Sequence, residues 1–188
     1  MQERAKSSLE NSWDGSWWSD LRPRLALRAA CQEDESFFFS IFCSIREPDF
    51  AFLGELERKN LLKLQFVAQQ GHYQVNMPEA EHLIVLQDGG PIGRMTFVLR
   101  NDELHLAEIA LLPDHRNHGI GSILMKRLIK AEAEQGHSIR LHVYKQSAAV
   151  RFYERLGFAI AKDDGAYLLM EKLPTIQGDF DGGKISKI

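Results

Sequence analysis

The 188-residue sequence has only two cysteines, and it lacks a basic excess, a long apolar run and the two commonest phosphate-binding motifs. Cys31 and Cys43 have no metal-like spacing, so we expect reduced thiols rather than a disulfide scaffold or a metal site. A net charge of -3 gives no global attraction for nucleic acid or for an anionic membrane. The sequence therefore predicts no metal and no nucleic-acid partner.

Residues 1–20 are polar and lack the apolar core of a signal peptide. No segment is apolar over the length that a membrane span needs, so a cytoplasmic protein without a membrane partner is expected. The length and a hydrophobic content of 44% suffice for one well-buried domain. We predict a polar arm over 1–20, a single domain over 21–173 and a flexible tail over 174–188.

The arm contains all three tryptophans, Trp13, Trp17 and Trp18. Two interpretations remain open. In the first, the indoles cover an apolar patch of the domain. In the second, they contact a partner or a second copy in a homodimer, because aromatic clusters are frequent anchors of interfaces.

The spacing of apolar residues predicts a chain that mixes strands and helices. Seven strands are predicted, near 23–28, 82–87, 92–100, 104–112, 139–144, 158–161 and 166–172. Four helices are predicted, over 32–46, 56–73, 120–133 and 148–156. The three strands between 82 and 112 would form an antiparallel meander. The strand at 139–144 should lie parallel to the strand before the third helix, because strand, helix and strand make a crossover unit.

A glycine turn connects the strand that ends near Leu112 to the third helix, and it reads Arg116-Asn117-His118-Gly119-Ile120-Gly121. A turn that opens a helix presents free N–H groups and a favourable dipole to an anion. Glycines at this spacing let the main chain approach a phosphate, and Arg116 adds a guanidinium. The turn has neither the Gly-Lys-Ser/Thr of the P-loop nor the Gly-x-Gly-x-x-Gly of dinucleotide sites. It therefore predicts a site for a different phosphorylated cofactor.

Two segments resemble motifs of the GNAT N-acetyltransferase superfamily. Its acetyl-CoA motif is similar to residues 111–122, Leu-Leu-Pro-Asp-His-Arg-Asn-His-Gly-Ile-Gly-Ser. Its second motif is similar to residues 149–158, Ala-Val-Arg-Phe-Tyr-Glu-Arg-Leu-Gly-Phe. Two motifs in the right order argue against coincidence. The resemblance covers roughly residues 25–172, and segments 65–73 and 78–82 also look like an uncharacterised bacterial subgroup of the superfamily.

The resemblance implies an α/β (α+β) fold, the GNAT fold, with a mixed, mostly antiparallel central sheet, a V-shaped split and helices on both faces. It also implies acetyl-CoA as the co-substrate in that split. Ile109, Ala110 and Leu111 would pair with the pantetheine arm, and the Leu111 N–H would polarise the thioester carbonyl. The pyrophosphate would bind the glycine turn, which comprises Arg116, Asn117, His118, Gly119, Ile120, Gly121 and Ser122. Gln146 stands where the family often has an asparagine that contacts the cofactor arm.

By the same resemblance, Tyr153 contacts the cofactor and protonates the departing thiolate. Judged without the family, a core role is the stronger alternative, because Tyr153 shares a helical face with apolar residues. The acceptor amine needs a base or a desolvating site, since amines are mostly protonated at neutral pH. Glu108 and His105 are the candidate catalytic bases, because family members place a carboxylate or an imidazole on this strand, and His82 lies on a nearby strand. Each of the three has an ordinary structural role as its alternative.

Gln65, Gln69 and His72 fall on one face of the second helix, and together with His82 they are predicted to bind the acceptor. A solvated helix face is the alternative for the helical residues. The predicted activity is direct transfer of an acetyl group from acetyl-CoA to a primary amine of a small molecule or a protein. Two rival functions stay open: a non-catalytic CoA-binding regulatory module, and an interaction protein that uses the tryptophan arm.

Overall fold

The structure, a computed structural model, describes residues 24–174. Its strands are β1 (Leu25–Ala29), β2 (Glu81–Gln87), β3 (Gly90–Arg100), β4 (Glu103–Leu111), β5 (Ser138–Tyr144), β6 (Ala159–Asp163) and β7 (Tyr167–Lys172). Its α-helices are α1 (Glu35–Arg46), α2 (Glu55–Asn76), α3 (Ile120–Gln135) and α4 (Ala149–Arg155). The predicted tryptophan arm and nearly all of the predicted tail lie outside the described residues, so the domain boundaries stay predictions.

The seven strands form one sheet in the order β1-β2-β3-β4-β5-β7-β6. Neighbouring strands are antiparallel except β4 and β5, which run parallel. The parallel pair is joined by α3 in the predicted crossover unit. The predicted mixed, mostly antiparallel sheet is therefore confirmed.

Helices cover both faces of the sheet, as predicted. On one face α3 packs on the strands through Leu124 and Leu128, and Tyr153 of α4 joins the same core. On the other face α1 and α2 meet in a smaller aromatic cluster. There the Phe66 ring lies 5.6 Å from that of Phe42. Burial of these apolar faces is the main favourable term that holds the layers together.

The ends of all four helices differ from the prediction. The first begins at Glu35, after a 3-10 turn over Gln32–Asp34, and the third continues to Gln135 instead of ending at Ala133. The second helix continues to Asn76 instead of ending near Tyr73. Its last turn is held by a tertiary contact, because Arg100 Nη2 donates to the Asn76 carbonyl at 3.0 Å. The fourth helix covers Ala149–Arg155 rather than 148–156. Gly157 follows it with a φ of 85°, which is the left-handed conformation expected at this end.

Candidate active site

The sheet splits between β4 and β5. Residues 103–106 of β4 pair with residues 138–141 of β5, and the pairing stops there. At the same point β4 contains a bulge on its β3 side: Phe97 faces Leu106, Thr96 faces Glu108, and Ala107 is the extra residue. A bulge bends its strand, so the end of β4 diverges from β5. The result is the V-shaped opening that the family resemblance implied.

The backbone of Leu111 faces this opening. The next residue, Leu112, donates its N–H to the Ile92 carbonyl of β3 at 2.8 Å. Successive residues of a strand direct their N–H groups to opposite edges, so the Leu111 N–H and C=O point away from β3, towards β5. Arg116 Nε donates to the Leu111 carbonyl at 2.8 Å, which satisfies this acceptor. The Leu111 N–H is therefore the donor that the strand directs into the split.

A cleft of about 870 Å³ occupies the split. Its walls come from the end of β4, the glycine turn, the start of α3 and the α4 region. Of the predicted cofactor residues, the lining includes Ile109, Ala110, Leu111, Arg116, Asn117, Gly119, Gly121, Ser122 and Tyr153. Ile45, Ser147, Ala148, Ala149, Phe152 and Arg155 complete it, and the sequence did not single them out as site residues. The volume is in the range of sites for small molecules and cofactors.

The glycine turn opens α3 with free N–H groups. Gly119 precedes the helix with a φ of 78°, and Asn117 also has a positive φ, 63°. The left-handed conformation favours glycine at position 119, because glycine has no Cβ. A Cβ built there would meet no atom within 4 Å, so the backbone conformation, and not a lack of space, is the constraint. The N–H groups of Ile120, Gly121 and Ser122 have no partner inside the helix, as at every helix start. This end of the cleft is therefore a cradle for an anion.

Arg116 connects the turn to the other face of the sheet. Besides its bond to Leu111, its Nη2 donates to Ser44 Oγ of α1 at 3.1 Å. The guanidinium is thus fixed at the wall of the cleft by two elements. Fixed in this way, it adds a positive charge close to the anion cradle.

Tyr153 is buried where α4 meets the cleft, and its ring packs edge-on against Phe152 and Phe158. Burial raises the pKa of its hydroxyl to about 12. The phenol therefore stays protonated at neutral pH and is able to donate a proton or a hydrogen bond into the cleft. The sequence left a core role and a site role as alternatives for Tyr153. In the structure the residue packs in the core and also lines the cleft.

A second cavity, of about 420 Å³, lies on the α1 and α2 face of the sheet. Its lining includes two predicted acceptor residues, Gln65 and Gln69, and the candidate base Glu108. The other lining residues are Phe42, Ile45, Arg46, Ala68 and Tyr167. Ile45 lines this cavity and the cleft, so the two adjoin at that side chain. We call the second cavity the α2 pocket.

Glu108 forms an ion pair that sequence reasoning missed. Arg94 Nη2 of β3 donates to Glu108 Oε2 and, at 3.2 Å, to Gln69 Oε1. Tyr73 Oη donates to the same carboxylate at 3.3 Å. Burial raises the pKa of Tyr73 above its usual range, so this phenol remains a donor. The signal for Arg94 was a charged residue inside the apolar strand 92–99, which demands a buried partner.

His82 and His105 lie on the same face of the sheet without lining either cavity. His82 Nδ1 is 3.1 Å from Thr96 Oγ1, and its ring lies between those of Phe38 and Tyr73. His105 stacks near His142 at the far end of β4, with 5.4 Å between the ring centroids. Burial lowers the pKa of both imidazoles, aided by nearby positive groups. Both rings are therefore neutral at pH 7.

Four other predicted site residues stand apart from the cavities. His72 is exposed on α2 and lies 3.1 Å from Asn76 Nδ2, and it does not share the pocket with Gln65 and Gln69. His118 and Gln146 are exposed, and neither lines the cleft. Ile120 packs its side chain into the core, so only its backbone can serve the cradle.

Within residues 24–174, no cluster of three or more His, Cys, Asp or Glu side chains could hold a metal ion. Cys31 and Cys43 are both free thiols. No helix in this part of the chain is long and apolar enough to cross a bilayer.

Comparison with known proteins adds independent observations. The uncharacterized N-acetyltransferase YjcF of Bacillus subtilis (strain 168) is 33% identical over 85 residues, which are 45% of this chain and 60% of that protein. The match thus spans less than two thirds of the relative's length. The fold resembles that of the PaiA N-acetyltransferase from Thermoplasma acidophilum in complex with coenzyme A, with a TM-score of 0.62 and 21% identity over 79% of this chain and 98% of that one.

A spermidine N-acetyltransferase from Vibrio cholerae, in complex with CoA and spermine, has a TM-score of 0.56 and 18% identity over 81% of this chain and 97% of that one. At these identities the two structures support the fold alone. The model of the acetyltransferase (GNAT) family matches residues 47–158. This range includes the β4 residues that line the two cavities, the glycine turn and α4. The family indicates an acyltransferase, in agreement with the sequence, and this chain belongs to the GNAT acetyltransferase family.

Proposed function

We propose that the protein transfers an acetyl group from acetyl-CoA directly to a primary amine. The observation that carries the proposal is the convergence of three groups on one cleft: the anion cradle at the start of α3, the inward Leu111 N–H and the protonated Tyr153 hydroxyl. A pyrophosphate, a thioester carbonyl and a departing thiolate need these three kinds of group in turn.

The residues of the cleft fit coenzyme A chemically. The N–H groups of Ile120, Gly121 and Ser122 would bind the pyrophosphate, with Arg116 beside them and no side chain at Gly119 to obstruct it. The open backbone of Ile109 would pair with the pantetheine amides, since β5 leaves this edge unpaired. Gln146 has no part in the proposal, because Ser147 and Ala148 line the cleft in its stead.

Tyr153 serves as the acid in this proposal. The amine nitrogen attacks the thioester carbon, the new C–N bond forms as the C–S bond breaks, and the sulfur takes a proton from Tyr153. The attacking nitrogen gives one proton to water, and water returns one to Tyr153, so the products are an amide and the free thiol of CoA. Leu111 N–H stabilises the negative charge that develops on the carbonyl oxygen.

Glu108 is the one of the three candidate bases that lines a cavity, and it would accept a hydrogen bond from the amine. Because Arg94 pairs with its carboxylate, desolvation in the pocket, and not proton transfer to Glu108, would supply the neutral amine. Glu108 precedes Ile109 of the cleft directly, and it faces the α2 pocket, where we place the acceptor. Gln65 and Gln69 belong to the same pocket. His105 and His82 are left with supporting roles on the sheet.

The test is a thiol-release assay with acetyl-CoA over a panel of amines, with the acetylated product identified by mass spectrometry. For the best acceptor, Tyr153→Phe should lower kcat about 100-fold or more while the Kd of acetyl-CoA changes little. Tyr144→Phe is the matched control, because Tyr144 is half exposed and lines neither cavity. It should retain the wild-type kcat.

Two results would contradict the proposal. An unchanged kcat in Tyr153→Phe would remove Tyr153 from the role of acid. Tight binding of acetyl-CoA without thiol release on any amine would favour the rival function, a non-catalytic CoA-binding module.

A further inference from the structure

The charges around the α2 pocket are unusual for an amine site. Among its lining residues in the described part of the chain, Glu108 supplies the sole carboxylate. Its charge is already compensated by Arg94, which is 1% exposed. The other charged lining residue is Arg46, a second cation. A bound amine therefore meets no carboxylate that lacks a positive partner.

Arg94 cannot turn away to release Glu108. Its guanidinium carbon lies 5.1 Å from the centre of the Phe38 ring, and its Nη2 also bonds Gln69. These contacts hold the buried cation on the carboxylate, and removing either member of such a pair would leave a buried charge without a partner. The pair is a fixed, neutral unit of the pocket wall.

This neutrality disfavours a polycation. A second ammonium in the pocket would lose its hydration without gaining a counter-charge, which is unfavourable for a buried ion. A polyamine such as spermine, which is bound in the Vibrio cholerae structure, would lose hydration in this way if it entered the α2 pocket. An acceptor with one amine and one anionic group would avoid this cost, because Arg46 lines the pocket and can bind the anionic group.

Arg46 is available for such a contact. It belongs to the last turn of α1, and its side chain is 47% exposed with Asp49 Oδ2 at 3.4 Å. An exposed ion pair of this kind is weak, so a carboxylate ligand can compete for the guanidinium. Gln65 Oε1 is buried in the wall without a hydrogen-bond partner among the described residues, and it can accept an N–H from the amine.

We infer that the α2 pocket takes a small amine that carries a carboxylate, an amino acid in chemical class, with Arg46 binding the carboxylate and the Arg94–Glu108 pair excluding polyamines. The inference rests on the proposed function and names its acceptor. The apolar wall of Phe42, Ile45 and Ala68 favours an amino acid with an apolar side chain.

The experiment compares matched acceptors that differ in the carboxylate alone. Glycine, L-methionine and L-phenylalanine are assayed for thiol release beside their carboxamides, with spermidine as the polycation. The acid-to-amide ratio of kcat/KM is compared between variants, so that differences in intrinsic amine reactivity cancel. The variants are Arg46→Gln, Arg46→Glu and the control Arg58→Gln. Arg58 is partly buried and pairs with the exposed Glu47 outside the pocket.

The wild type should prefer at least one acid over spermidine. Arg46→Gln should reduce the acid-to-amide ratio about tenfold or more, mainly through KM, because a hydrogen-bonded charge contact is lost. Arg46→Glu should reverse the preference towards the amides and spermidine, whereas Arg58→Gln should match the wild type. An acid-to-amide ratio that is equal in all variants, or spermidine as the best acceptor of the wild type, would overturn the inference while leaving the acetyltransferase proposal intact.

Failure of the proposed function is distinguishable from failure of the inference. If no amine supports thiol release, calorimetry of the same acids and amides on the acetyl-CoA complex decides the question. Binding of an acid that Arg46→Gln weakens by about tenfold supports the pocket assignment. Binding of no acid, or equal binding of acid and amide, refutes it.

Discussion

Gly93 is expected to set the position of Leu111 in the cleft. The two residues face each other across β3 and β4, and a Cβ built on Gly93 would lie 2.5 Å from both the Ala110 carbonyl oxygen and Leu111 Cδ2. Ordinary contacts need about 3.5–4.0 Å, so Gly93→Ala must push β4 away by about 1 Å. Because one contact is to backbone, a change of rotamer cannot relieve it.

The displacement has a predicted cost in stability and in rate. Overpacking of this kind lowers the free energy of unfolding by about 1–3 kcal/mol. A shift of about 1 Å in the Leu111 N–H would lower kcat by about 100-fold. Urea unfolding measures the first effect, and thiol release at saturating acetyl-CoA and acceptor measures the second.

Gly71→Ala is the matched control for this substitution. Gly71 lies inside α2, and a Cβ there would have no atom within 4 Å. Alanine should stabilise the helix by about 0.5–1 kcal/mol and leave kcat unchanged. A folded Gly93→Ala protein with the wild-type kcat would refute the role of Leu111, because the strand could then move without effect on catalysis.

Three further predictions concern the cradle, the ion pair and the behaviour in acid. Gly119→Ala places a Cβ at a φ of 78°, which should cost about 1–2 kcal/mol of stability and weaken coenzyme A binding, as measured by calorimetry. Glu108→Gln leaves the Arg94 guanidinium buried without its carboxylate, and urea unfolding should show a loss of about 3–5 kcal/mol; a loss below about 1 kcal/mol would speak against a fixed pair. The Arg28 guanidinium holds the pKa of Asp34 below its usual range, so the stability it contributes is present above about pH 4 and is lost as the pH falls towards the folded pKa. Asp34→Asn should flatten that part of the stability profile, and an unaltered profile would contradict the assignment.

Most helices and strands could be predicted from the sequence because each is marked by a pattern within its own residues. Alternation marked β5, helical spacing marked α3, and the glycine at 157 marked the end of α4. The end of α2 was not readable, since no helix breaker stands between Tyr73 and Pro78. The extra turn depends on the bond from Arg100, which is far along the chain. A tertiary contact of this kind has no signature in the helix's own sequence.

Most of the residues that line the cleft could be predicted for a similar reason, because they are contiguous in sequence. The residues from 109 to 122 form one strand end and one helix start. Gln146 shows where contiguity fails: Ser147 N–H bonds the Tyr144 carbonyl at 2.8 Å, and this turn leaves Gln146 in solvent. His72 shows a second limit of sequence-based prediction. Helical spacing indicates that His72 shares a face with Gln65 and Gln69, but it does not indicate which part of that face lines the pocket.

The position of Glu108 in the α2 pocket depends on one bulge that no spacing rule reveals. In a regular strand, period-two alternation from His105 would direct Ala107 and Ile109 to the α2 face and leave Glu108 in the opposite core. The extra residue at Ala107 reverses that order: Leu106 and Ile109 pack in the main core, while Glu108 reaches Arg94 under α2. The pairing with β5 ends at the same bulge, where the cleft opens. The opening of the cleft and the position of Glu108 in the α2 pocket therefore share one cause, and the neighbouring strand supplies Arg94 as the counter-charge of that carboxylate.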